Sequence, residues 1–128
     1  MKKQIQLSIA ALALCGTALL PGCIVAAAAV GAAGVAYVSG DLEARLEHSP
    51  QQVVDAAKNA FSDLEIRVVS AEASAIDGKV VGRTALERRV DLTVHRDGET
   101  ASKLAIRIDT FGDEELSRQI LTKIEEKL

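Results

Sequence analysis

Aromatic side chains are nearly absent from this 128-residue chain, which has two Phe, one Tyr and no Trp. Any core must therefore be built from Ala, Val, Leu and Ile, the residues behind its 48% hydrophobic content. The same lack removes the platforms on which single-stranded nucleic acid stacks. Histidine and cysteine are scarce, at two each. No HExxH or CxxC spacing occurs, and a closed metal site needs more ligands than these. Charge is missing from residues 4–40 altogether. Residues 41–128 hold thirteen Lys/Arg against eighteen Asp/Glu, a net of −5. Counterion release from nucleic acid requires a basic face, so that partner class is excluded.

What is present begins with an address. Lys2 and Lys3 precede an apolar stretch from Ile5 to Leu20, the pattern of a secretory signal. Leu20-Pro21-Gly22-Cys23 closes it and resembles a bacterial lipobox. The resemblance implies diacylation of the Cys23 thiol, cleavage before it and acylation of the new amino terminus. Residues 1–22 are then the signal peptide. Cys15 is the competing thiol, but it sits within the apolar stretch after the bulky Leu14. Ile24, rather than Asp, follows Cys23, which by analogy with lipoprotein sorting favours the outer membrane, with the domain facing the periplasm.

Residues 23–40 read as the acylated Cys followed by an apolar Ala/Gly-rich linker. As a helix, residues 24–38 would extend roughly 22 Å, short of a ~30 Å hydrocarbon core. Ala28, Ala32, Ala36 and Gly40 recur every fourth residue, a spacing that permits self-association by close helix packing. An inert linker is the simpler reading of the same residues.

Residues 41–128 carry the amphipathic patterns of one α+β domain. Asp41–Glu47 alternates, with Leu42, Ala44 and Leu46 on one face. Ser49-Pro50-Gln51-Gln52 reads as a capping box that opens a helix striped by Val53, Ala57, Ala60, Phe61 and Leu64. Glu65–Ala73 and Lys79–Leu86 read as strands. Asp77-Gly78 is taken as their hairpin turn, and Gly82 as a bulge. Arg88–Arg96 and Thr100–Asp109 alternate cleanly around an Asp97-Gly98 turn. A last helix opens at Gly112-Asp113 and buries Leu116, Ile120, Leu121, Ile124 and Leu128. The predicted order is β-α-β-β-β-β-α. It implies a two-layer sandwich of helix-grip type, with about five antiparallel strands packed by two helices.

The run Thr110-Phe111-Gly112-Asp113-Glu114-Glu115-Leu116-Ser117-Arg118-Gln119-Ile120, with Tyr37-Val38-Ser39-Gly40 upstream, resembles a family of small bacterial lipoproteins of unknown function. That family implies no catalysis, ligand or partner. Local chemistry accounts for the run: Phe111 packs at the strand–helix junction, Gly112 makes the turn and Asp113 caps the helix.

No catalytic arrangement is legible. G-x-S-x-G, P-loop and G-x-G-x-x-G patterns are missing. Adjacent carboxylates such as Glu114 and Glu115 do not face one another on a helix. His48 and His95 read as solvated. The one surface to single out is the outward strand face of Arg89, Asp91, Thr93 and His95 beside Lys103, Arg107 and Asp109. It reads as a partner-docking face or as ordinary cross-strand charge pairing. The expectation is a non-enzymatic envelope lipoprotein that acts on an unknown envelope protein, with no cofactor or metal. The alternative is a periplasmic module binding a lipid or another small molecule.

Overall fold

A computed structural model describes residues 34–128. The expected signal peptide of residues 1–22, the expected acylation site Cys23 and the Ala/Gly run through residue 33 lie outside the described residues. The fold is α+β, as the sequence implies. Its elements are β1 (Val35–Val38), β2 (Asp41–Leu46), α1 (Pro50–Asp63), β3 (Arg67–Ala73), β4 (Asp77–Arg83), β5 (Arg89–Arg96), β6 (Ser102–Ile108) and α2 (Glu114–Lys127).

All six strands pair antiparallel in one sheet, in the order β1-β2-β6-β5-β4-β3. The count exceeds expectation by one, because Val35–Val38 is an edge strand and not linker. Val35 faces Ala44 and Tyr37 faces Leu42, so alternate residues of β1 extend the apolar face. Their small neighbours Ala36 and Val38 hid this alternation inside an unbroken apolar run.

Period-2 alternation puts Leu42, Val80, Leu92, Val94, Leu104, Ile106 and Ile108 on the covered face, each fully buried. The helices lie across that face. Helix α1 packs over β3, β4 and β5, α2 over β2 and β6, and the two touch each other. Phe61, Ile120 and Ile124 are buried completely between the layers. The last residue of the expected α2 stripe, Leu128, is 37% exposed.

Two glycines were misread by local rules. Asp77 and Gly78 begin β4, and the hairpin turn is Ser74–Ile76, where the Ser74 hydroxyl accepts from the Ile76 and Asp77 amides. Gly78 is needed because a Cβ there would lie 2.5 Å from Val54 of α1. Gly82 likewise admits Phe61 and Ile66, 2.8 and 2.7 Å from the place of its missing Cβ. The bulge is on the opposite strand, between Val68 and Ser70.

Candidate functional site

Among the described residues, nothing covers the other face of the sheet. Arg89, Asp91, His95, Lys103 and Arg107 do share this face, with Asp91 opposite Arg107 and His95 opposite Lys103. Their charges, however, are matched within the domain. Arg89 donates to both Asp91 oxygens at 2.6 and 3.0 Å. His95 Nδ1 lies 2.7 Å from Asp77, and Lys103 lies 3.0 Å from Glu43. Such exposed pairs contribute little to stability and leave little unbalanced field for a partner.

Lys79, like Glu72 and Arg83 on the same face, is not matched in this way. It stands between Glu72 and Thr93 across the sheet and forms no ion pair among the described residues. It lines three shallow depressions of the open face, the largest about 410 Å³ and bordered also by Glu72, Thr93 and His95. His48 is half-buried beside the α1 cap, where its carbonyl accepts from the Ser102 hydroxyl. Among the described residues, no three His, Cys, Asp or Glu side chains are placed to hold a metal ion. No described helix is long and apolar enough to cross a membrane.

A different region is built more elaborately. Three connections meet at one end of the sheet: the β1–β2 turn at Ser39-Gly40, the β4–β5 loop of residues 84–88, and the β6–α2 loop of residues 109–113. Here the two separated motif segments of the sequence come together. Gly40 and Gly112 both adopt left-handed backbone, with φ of 91° and 82°. A Cβ on Gly112 would strike the Gly40 carbonyl and lie 2.5 Å from the Tyr37 hydroxyl. A Cβ on Gly40 would lie 2.8 Å from the Phe111 carbonyl. Close backbone approach, more than turn geometry alone, therefore requires glycine at both positions.

Two arginines brace this pole. Arg107 grips Asp41 through Nε at 2.7 Å and Nη2 at 3.1 Å. It also donates to the Thr110 and Ser39 carbonyls, at 2.8 and 2.9 Å. One guanidinium thus ties the β1–β2 turn to the loop before α2. Arg88 joins Asp109 at 3.0 Å to Asp113 at 2.8 Å. Asp113 accepts from the Leu116 amide as the α2 cap, and that bond, aided by Arg88, holds its carboxyl below the usual range. Asp109 is lowered in the same way by the Arg89 amide and then by Arg88.

Ser39, Glu87 and Asp109, none of them glycine, also take positive φ at this end. Such conformations persist only where their surroundings over-determine them. The braced loops hold two apolar side chains outward, Phe111 at 90% and Leu86 at 84% exposure, and Val38 at the end of β1 beside them is 55% exposed. The expectation that Phe111 packs at the strand–helix junction is therefore corrected. Gly112 turns the chain so that the ring leaves the surface, and Leu116 takes the place against the core. The motif residues were legible, but their meeting was not, because about seventy residues separate the two segments.

Residues 5–127 match the model of the DUF3568 family, described as a protein of unknown function, and the chain belongs to that family. No curated protein matches it.

Proposed function

We propose that this member of the DUF3568 family is an envelope lipoprotein, anchored through acylated Cys23, that acts by contact with another protein and catalyses no reaction. The supporting observation is Phe111, held out of the domain by a braced and strained loop. Full burial of a Phe side chain is worth about 1.5–3 kcal/mol. A flexible loop would recover that energy by folding inward, whereas this one is fixed by Gly112 and Arg107. Buried aromatics dominate protein interfaces, so the fitting partner is a protein with an apolar pocket that receives the ring. Strand β1 runs toward this pole from Val35, which lies opposite Ala44. Outer-membrane placement rests on Ile24 alone.

The matched charges of Arg89, Asp91, His95, Lys103 and Arg107 support partner docking less well. Small-molecule binding has weaker support too, because apolar side chains fill the space between sheet and helices, and the open-face depressions are edged with charge.

A photo-crosslinking residue at position 111, compared with one at position 89, tests the reading in intact envelopes. A defined protein adduct at 111 and not at 89 is expected. Phe111→Ala should reduce recovery of that partner at least tenfold while leaving the melting temperature unchanged. Cys23→Ala should abolish lipid labelling, and Cys15→Ala should not. Equal adducts at 89 and 111 would remove the case for the pole.

A further inference from the structure

Strand β3 is a sheet edge of an unusual kind. Among the described residues it has a hydrogen-bonded neighbour on one side only, and all seven of its residues are exposed. It carries no proline and presents Val69 at 59% exposure. Natural edges are protected against pairing by short length, proline, charge or a bulge. Here the bulge arranges the charges instead. Ser70 and Glu72 lie opposite Val81 and Lys79, while Arg67 lies opposite Arg83. Because β4 is regular, Arg67, Ser70 and Glu72 all fall on the open face. In a regular strand their five-residue separation would put Arg67 and Glu72 on opposite faces, and the bulge that absorbs Val69 brings them to the same one.

We propose that β3 pairs antiparallel with β3 of a second copy of this chain, about a two-fold axis through Ser70. In this register Val68 meets Ala71 of the second copy on the helix-covered face. Arg67 meets Glu72 of the second copy on the open face, and the symmetry repeats both contacts. The charges are available for this. Glu72 forms no ion pair among the described residues. Arg67 has only a loose, exposed contact of 3.7 Å with Glu87 and stands beside the like-charged Arg83. Glu72 of the second copy would relieve that repulsion. The two-fold contact closes on itself, so pairing yields a dimer with one continuous sheet and no filament. The proposal does not depend on what Phe111 binds.

A charge exchange tests it. The full chain, held in detergent micelles, is followed by sedimentation equilibrium as wild type, Arg67→Glu, Glu72→Arg and the double variant. Wild type should form a reversible dimer. Each single variant places like charges opposite one another twice per dimer and should weaken association about tenfold or more. The double variant should restore it to within about threefold of wild type. All four should melt alike when dilute enough to be monomeric, because both sites are exposed. A wild-type chain still monomeric at about 100 micromolar would overturn the proposal. So would a dimer indifferent to both single changes, the result expected if residues 24–40 or another partner surface held it together. Weakening without rescue in the double variant would overturn the register.

Discussion

Helix α1 begins on residues that are neighbours in the chain, whereas α2 begins on residues brought from two loops and a strand. At α1 the Ser49 hydroxyl accepts from the Gln52 amide at 3.3 Å, and the Gln52 side chain accepts from the Ser49 amide at 3.0 Å. Pro50 supplies the preset first turn, and no charge takes part. At α2 the cap is Asp113, itself held by Arg88 from the β4–β5 loop. Arg107, reaching from β6, fixes the residues just before that cap. The α1 start is thus encoded locally and is electrically neutral. The α2 start is encoded by the fold and depends on charge. The exposed Phe111 belongs to the second kind, which is why its loop is rigid enough to present a ring.

The helix bodies should not share this contrast, and their removal is the largest expected effect. Phe61 of α1 and Ile120 of α2 are both fully buried. Phe61→Ala should cost about 3–5 kcal/mol and Ile120→Ala about 2–5 kcal/mol in denaturant unfolding. The exposed Gln119→Ala should change stability by about 0.5 kcal/mol or less. An Ile120→Ala loss as small as that of Gln119→Ala would mean that α2 is not docked, and the contrast between its start and that of α1 would lose its meaning.

The caps themselves come next. Ser49→Ala and Asp113→Ala should each cost about 1 kcal/mol near neutral pH. Their pH dependence should differ. The carboxyls of Asp109 and Asp113 are lowered in the folded state, first by backbone amide donors and then by Arg88. Their stabilisation is therefore complete above the unfolded carboxylate value and is lost as pH falls through the lowered folded value. Acid titration of stability should show the Asp113→Ala penalty vanishing at low pH, while the Ser49→Ala penalty stays level. A double-mutant cycle should couple Arg88 to Asp113 and leave Arg88 and Ser49 additive. A penalty at Ser49 that follows pH as Asp113 does would end the distinction.

The smallest effect sharpens the same comparison within α2. Ser117 is fully buried, and its hydroxyl has no hydrogen-bond partner among the described residues. Burial of an unsatisfied hydroxyl is unfavourable, and Ala is the better helix former. Ser117→Ala should raise the unfolding free energy by up to about 1 kcal/mol. A loss instead would show that the hydroxyl has found a partner.

Much of the fold was legible in the sequence because it follows from periodicity. The alternation at Val90, Leu92 and Val94 and at Leu104, Ile106 and Ile108 predicts two covered strands, and all six residues are buried. The capping box at Ser49 and Gln52 predicts the start of α1 to the residue. Asp77-Gly78 misled, because glycine serves turns and close packing alike and only the position of Val54 tells which. The apolar run through Val35–Val38 gave no period to read. The charged residues of the open face were placed on the correct strands, but their ion partners Asp41, Glu43 and Asp77 come from other strands and follow from register.

By itself, then, the sequence determined the α+β class, the covered face of each central strand and the local cap of α1. Each rests on residues within a few positions of one another, where backbone geometry fixes which side chains share a face. Tertiary structure alone decided that Gly40 and Gly112 meet, that Arg88 and Arg107 brace the loops around Phe111, and that the ring points outward. Those outcomes depend on which strands become neighbours, and sheet order is set by the global burial of apolar faces and not by any single segment.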